Sequence, residues 1–311
     1  MISKTEADMN SINSLSEFHR LLSIPPPLHP LVSIVHVSEI HAITSDVWKK
    51  FITNFYTISL KYNNQSKVKY GQNFYDFDRG TMVFTAPKQV QSVEVETANT
   101  FNESSGSGYV LMFHPDFLGK HSLSVSIKAY RFFSYSVNEA LHLSEKEENN
   151  VIDIFKKIEG KYQHIDPHTQ GIIQAQIDVL LQYSNRFYQR QFITRKAVNV
   201  DLLTRTEGLV SEYFNSEMGL KRGVLTVDAL ANQLNLSPNY LSDALRSLIG
   251  QTTQQHIHEK LIEKAKEYLT VSNLSVSEIA YNLGFERPQS FNKLFKAKTN
   301  QSPLEFRASF N

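Results

Sequence analysis

The chain of 311 residues contains no cysteine. That excludes disulfides, thiolate metal sites and a cysteine nucleophile, and it fits a reducing compartment. No apolar run approaches the roughly 18 to 20 residues that a membrane span needs. The opening stretch, MISKTEADMN, is polar and lacks the pattern of a signal peptide. A cytoplasmic protein with no membrane partner is therefore expected. An excess of one charge is also missing, because 32 Lys and Arg face 31 Asp and Glu for a net charge of +1. Binding of polyanions over the whole surface is thereby disfavoured, and any nucleic-acid contact must rest on local charge. The P-loop, GxSxG and HExxH patterns are absent too, which removes the common signatures of nucleotide, serine and zinc hydrolase chemistry.

What is present is ordinary globular composition, 41% hydrophobic and 20% charged, at a length that predicts about two domains. One helical pattern occurs twice near the C-terminus. The first copy is TVDALANQLNLSPNYLSDALRSLIGQTTQQHI, from Thr226 to Ile257, and the second is SVSEIAYNLGFERPQSFNKLFKAKTNQSPLEFR, from Ser275 to Arg307. Leu230, Ala231, Leu234 and Leu236 match Ile279, Ala280, Leu283 and Phe285, and after the turn Leu241, Leu245, Arg246 and Gly250 match Phe291, Phe295, Lys296 and Asn300. Each copy has the grammar of a helix-turn-helix: a short amphipathic helix with a small Ala at the close approach, a tight turn, then a longer helix. Asn235 and Gly284 share the turn position, and both residue types accept a positive φ. Local positive charge appears in the second copy, where Arg287, Lys293, Lys296 and Lys298 face Glu286 alone between 286 and 298. In the first copy, Arg246 is offset by Asp243.

The remainder reads in order as an arm, a strand-rich half and helices. Residues 1–30 form a polar N-terminal arm, helical at SEFHRLL and extended at SIPPPLHP. The segments LVSIVHV, FYTISLKY, GTMVFTA, SVEVE and GYVLMF are short, alternating and rich in β-branched and aromatic residues, which predicts a small antiparallel barrel or sandwich. Ser144 before three acids predicts the start of a helix carrying Val151, Ile154, Phe155 and Ile158. A second helix aligns Ile173, Ile177, Leu180, Leu181 and Phe187 in a stripe that either covers the sheet or pairs with a second copy of the chain. RKAVNVDLLTR then connects to the C-terminal helices. Between the repeats, Ile257, Leu261, Ala265 and Leu269 at a spacing of four predict one continuous helix about 25 Å long, from about Thr253 to Leu269. Such a helix can hold two reading helices about 34 Å apart, in successive major grooves of DNA.

The second copy, with IA, LGF, SF, LFK, SP and the pair Phe306-Arg307 at fixed spacing, resembles the arabinose-regulator (AraC/XylS-type) family of transcription factors. The first copy, with LA, LS, YLS, Gly250 and EKAKEYL, is similar to that family's first module. Close resemblance covers about a third of the chain. Asn300 stands where the family usually has Gly, Asp243 where relatives often carry a basic residue, and Leu261 near a frequent Arg. The resemblance implies an α+β multidomain fold. Residues 31–192 would form a cupin-like β-barrel with flanking helices, serving sensing and dimerisation; GTMVFTAPKQ resembles the Gly-to-Pro stretch of such barrels. Residues 193–204 would be a linker, and residues 205–311 an all-α DNA-binding domain with two helix-turn-helix modules joined by a long helix. The implied function is sequence-specific transcription regulation, with double-stranded promoter or operator DNA, RNA polymerase, a second copy and a small-molecule effector as partners.

On this reading the DNA-contacting candidates of the first module are Ser237, Asn239, Tyr240, Ser242, Asp243 and Arg246, and those of the second are Arg287, Gln289, Ser290, Asn292, Lys293 and Lys296. Leu241, Leu245, Phe291 and Phe295 are expected in the core. An effector pocket, if the barrel holds one, would draw on Phe55, Tyr56, Tyr70, Phe74, Tyr75 and Phe84, the alternative being that these are ordinary core. Two rival functions stand beside this one. The first is a constitutive regulator whose barrel only dimerises, and the second is a metal-dependent cupin-type enzyme. The latter lacks a ligand set, because His29, His36, His41, His114 and His121 form no HxH group with a following Glu. No catalytic residue, metal or cofactor is therefore expected.

Overall fold

The computed structural model describes residues 10–40, 46–62, 68–70, 73–75, 80–92, 107–136, 139–164, 166, 168–194 and 196–309. The chain divides into two compact units, Met1–Gln191 and Phe192–Asn311. The elements of the first are β1 (Asn10–Ile12), α1 (Leu15–Leu21), β2 (Val32–His36), β3 (Phe51–Thr53), β4 (Tyr56–Tyr62), β5 (Val68–Tyr70), β6 (Asn73–Tyr75), β7 (Thr81–Thr85), β8 (Ser107–Phe113), α2 (Pro115–Leu118), α3 (Leu123–Ser126), β9 (Leu141–His142), α4 (Glu145–Tyr162) and α5 (Thr169–Thr194). Those of the second are α6 (Lys196–Asn215), α7 (Met218–Arg222), α8 (Val227–Leu234), α9 (Pro238–Ile249), α10 (Thr253–Val271), α11 (Val276–Asn282), α12 (Pro288–Thr299) and α13 (Pro303–Ala308).

The main sheet has five antiparallel strands in the order β2-β8-β4-β7-β9. Strand β4 alternates as a half-buried strand must, with Ile58 and Leu60 fully buried and Lys61 exposed. Strand β8 is covered on both faces. Its Tyr109 stacks on Phe155 of α4 with ring centroids 5.2 Å apart. On the opposite face Val110 and Met112 join Ile12, Leu15, Trp48, Phe51 and Phe55 in one apolar cluster. From Asn10 onward the N-terminal segment is thus packed rather than loose, and β1 pairs in parallel with β3.

The expected cupin-like barrel is not what the described residues form. They make an open sheet and two separate two-stranded pairs, β1–β3 and β5–β6. Barrel closure requires the edge strands to pair with each other. Here β9 is only two residues long and β2 gives way at once to a 3₁₀ turn at Val37–Glu39. Most of the expected SVEVE strand, from Val93 onward, lies outside the described residues.

The helices follow their local signals. At α4, Ser144 and Glu147 each accept the other's backbone N–H, a reciprocal cap. The α5 stripe is buried within the chain, since Ile173, Ile177, Leu180, Leu181 and Phe187 are all below 5% exposure. In the segment 193–204, read as a linker, residues 193–194 end α5 and residues 196–204 begin α6. No helix among the described residues is long and apolar enough to cross a membrane.

Candidate nucleic-acid interface

The two helix-turn-helix modules are α8–α9 and α11–α12. In each, apolar residues at the predicted spacing pin the two helices together: Leu230, Ala231, Leu241 and Leu245 in the first and Ile279, Ala280, Phe291 and Phe295 in the second are fully buried. The turn positions have the anticipated backbone, with Asn235 at φ 56° and Gly284 at φ 92°. At Gly284 a second constraint applies. A Cβ there would run into the Gly223 carbonyl, and a Cβ at Gly219 would run into the Asn282 carbonyl, so α7 and its following turn lie backbone to backbone on the second module's turn. The long helices end alike, Gly250 at φ 73° and Asn300 at φ 60°, and Asn holds the left-handed conformation where the first copy has Gly.

Helix α10 has 19 residues, about 28 Å at 1.5 Å per residue, and its Ile257, Leu261, Ala265 and Leu269 are all buried. Leu261, the departure from the frequent Arg, is a core residue. Arg307 closes the far end of α10, donating to the carbonyls of Leu269 (3.3 Å) and Leu274 (2.6 Å). A guanidinium there meets the negative end of the helix dipole. Phe306 packs edge-on against Phe295 at 5.5 Å, so the aromatic-Arg pair of the motif is a structural clasp.

The twelve candidate contact residues separate into two groups. In α12, Gln289, Ser290, Asn292, Lys293 and Lys296 are all exposed, and Arg287, at the N-cap, is exposed with its side chain unused in capping. Among the described residues, Arg287 and Lys293 make no ion pair. In α9 most candidates are already engaged. Ser237 is 8% exposed and caps the helix, accepting from Tyr240 N–H at 3.2 Å. Ser242 is a correction: it is 7% exposed, and its hydroxyl donates to Thr253 Oγ1 at 3.1 Å, tying α9 to α10 rather than facing outward. The Tyr240 ring lies against Phe192 at 5.2 Å. Asp243 Oδ1 holds Arg246 Nη1 at 3.1 Å. Asn239 is half-buried and Arg246 exposed. Exposed Ser247, one residue beyond Arg246, was not singled out by the sequence; helical spacing from Asn239 and Asp243 places it on the same stripe.

Of the aromatics offered for an effector pocket, Phe55 and Phe84 are buried in the core and Tyr56 is half-buried. Phe55 is fully buried, Tyr56 stacks on Phe113 at 5.2 Å, and Phe84 packs against Phe132 at 4.5 Å. Tyr70, Phe74 and Tyr75 fall on β5 and β6, with side chains outside the described residues. Of the five histidines weighed as ligands, His36 bonds Glu159 at 2.7 Å, and His41 lies outside the described residues.

The family described as a helix-turn-helix domain matches residues 230–309. The bifunctional transcriptional activator/DNA repair enzyme AdaA of Bacillus subtilis (strain 168) is 31% identical over 99 residues, which cover 32% of this chain and 46% of that protein. The HTH-type transcriptional activator RhaS of Escherichia coli O157:H7 is 36% identical over 80 residues, 26% of this chain and 29% of that protein. Among solved structures, the C-terminal domain of the two-component response regulator yesN from Fusobacterium nucleatum is 28% identical with a TM-score of 0.29, covering 33% of this chain and 93% of that one. The chain spans less than half the length of the two curated relatives. Matched turns, the α10 spacer and the Phe306-Arg307 clasp fall within residues 230–309, the stretch the helix-turn-helix family matches, and over that stretch the chain is similar to the AraC/XylS type of helix-turn-helix domain.

Proposed function

We propose that the chain is a sequence-specific DNA-binding transcription regulator, not an enzyme, that inserts α9 and α12 into successive major grooves of double-stranded DNA. The observation that carries this is the outward face of α12, where six polar or basic side chains project from a helix anchored by fully buried Phe291 and Phe295. Arg287 and Gln289, at the start of the helix, suit base edges, and Lys293 and Lys296 suit phosphates. The first module reads through fewer free groups, with Arg246 oriented by Asp243, and so acts as the weaker electrostatic anchor. The N-terminal unit receives a signal and shifts the population of molecules able to occupy both half-sites. Dimerisation by that unit, and contact of the DNA-bound protein with RNA polymerase, belong to the same reading.

The test uses a site selected from random double-stranded DNA by the full chain. Arg287→Ala is expected to lose about 1 to 3 kcal/mol there and to relax the preference at one base position. Lys61→Ala, in β4 of the N-terminal unit, serves as the control with unchanged affinity. Unchanged affinity for Arg287→Ala together with loss for Lys61→Ala would move the reading surface out of the C-terminal unit.

A further inference from the structure

The N-terminal unit contains a cavity of about 140 Å³ that none of the sequence-derived pocket candidates line. It lies between the segment after the proline run, α2, the end of α4 and the start of α5. Its apolar wall is made by Val32, Phe117 and Ile173, each at most 2% exposed. Exposed Asp166 and Gln170 mark its mouth.

The polar groups around it have hydrogen-bonding capacity to spare. His29 Nδ1 accepts the Leu31 N–H at 3.1 Å, so the neutral ring carries its proton on Nε2 and offers a donor. Burial pushes the His29 pKa down and keeps the ring in that neutral form. The Tyr162 hydroxyl accepts the Leu28 N–H at 2.6 Å and keeps its own proton as a second donor. Gln170 Nε2 donates to the Phe117 carbonyl at 2.8 Å, which leaves its Oε1 as an acceptor. Asp166 Oδ1 accepts the backbone N–H groups of His168 and Thr169, which holds its carboxyl below the usual range and leaves a charged oxygen at the mouth.

We infer that this cavity is a binding site for a single aromatic ring bearing a hydroxyl group, a small phenol, and that it discriminates against aromatic carboxylates. Size sets the ring: an apolar cavity of about 150 Å³ accommodates benzene, whereas sites for drug-sized ligands begin near about 300 Å³. The flat surfaces of Phe117 and the His29 ring, 5.7 Å apart and nearly perpendicular, suit an aromatic guest. Charge sets the substituent. A hydroxyl can both donate to Asp166 or Gln170 and accept from Tyr162 or His29, whereas a carboxylate would meet Asp166 as a like charge. As an effector site it rests on the reading of the N-terminal unit as a sensor; as a binding site it does not.

The experiment titrates phenol and, separately, benzoate into the full chain without DNA, by calorimetry and ligand-observed NMR. Phenol is expected to bind at least about tenfold more tightly than benzoate. Ile173→Phe, which fills the cavity, should abolish phenol binding while the protein still melts cooperatively. Asp166→Asn keeps an oxygen for the α5 backbone and removes the charge, so it should bring benzoate to within about threefold of phenol, a gain that misfolding cannot imitate. The inference fails if the native chain does not bind phenol at about 10 mM, leaving a hydration site. It also fails if benzoate binds as well as phenol, if a cooperatively melting Ile173→Phe still binds phenol, or if Asp166→Asn leaves the preference intact. Should Ile173→Phe not fold, the Asp166→Asn preference decides. A parallel DNA titration separates the readings: phenol binding with unchanged DNA affinity preserves the site and removes its effector role, and absent DNA binding refutes the proposed function alone.

Discussion

At Asn300 the left-handed backbone has a direct cost for any residue with a Cβ and no local hydrogen-bonding group. Asn300→Ala is expected to lower stability by about 1 kcal/mol, with Asn300→Gly neutral or slightly stabilising, both read from urea unfolding. Gly284 is less forgiving because strain and collision coincide there. Gly284→Ala must displace the Gly223 carbonyl, and a loss of about 3 kcal/mol or more, with disruption of the second module, should follow in the same measurement. The positive-φ positions Asn235, Gly284 and Asn300 were readable from sequence because Gly and Asn meet that requirement locally, whereas Ser23 and Lys88, also at positive φ, carry no such signal. Ser242 was not readable either, because its partner Thr253 lies eleven residues on, across a turn, and a serine shows no outward sign of which way its hydroxyl points. The offset of Arg246 by Asp243 was readable, because a spacing of three puts both on one helix face, and the pair is formed at 3.1 Å.

Elements differ in how far their causes reach along the chain. The helices from α8 to α13 are specified by caps and apolar spacing within a few residues, and five of the six have a Ser or Thr N-cap that accepts a backbone N–H. Their existence and order were therefore apparent in the sequence. The sheet was not: β8 sits between β2 and β4, and that order depends on strand contacts about 50 to 80 residues apart in the chain. The alternation within β4 reported a strand without reporting its neighbours. For the same reason a barrel was expected where the described strands leave the sheet open. The clasp at α10 gives a prediction on this scale. Arg307→Ala removes two charge-assisted bonds, to the Leu269 carbonyl in the last turn of α10 and to the Leu274 carbonyl in the loop beyond it, and should cost about 1.5 to 3 kcal/mol of stability in the C-terminal unit, with Arg307→Lys recovering only part of it.

Across the whole molecule, each unit buries a histidine whose pKa is lowered by that burial. In the N-terminal unit His19 is 3% exposed, with Nδ1 against the Pro25 carbonyl at 2.5 Å and Nε2 against Ser33 Oγ at 2.8 Å. The carbonyl can only accept, so Nδ1 carries the proton and Ser33 donates to Nε2. Burial lowers the His19 pKa, against the opposing pulls of the Pro25 carbonyl and Glu39. In the C-terminal unit His256 is 4% exposed, and its buried Nε2 has no hydrogen-bond partner among the described residues. Burial and Lys260 lower its pKa, while Glu207, Glu259 and Glu263 oppose them. A depressed folded-state pKa means that the unfolded chain binds more protons, so stability is present above the ordinary value of 6.5 and is lost as pH falls from there toward the folded pKa. Urea unfolding of the full chain at pH 7.5 and pH 5.5 should show both units weakened at the lower pH. His256→Gln should flatten that dependence in the C-terminal unit and leave the N-terminal unit's slope unchanged, because the two histidines belong to separate cores and distant, independent sites add. Equal slopes for His256→Gln and the native chain in the C-terminal transition would show that its acid sensitivity over this range does not come from His256; the capping acids Glu278 and Glu305, whose pKa values are lowered by their Ser275 and Ser302 hydrogen bonds, lose their contribution only at lower pH, in the carboxylate range.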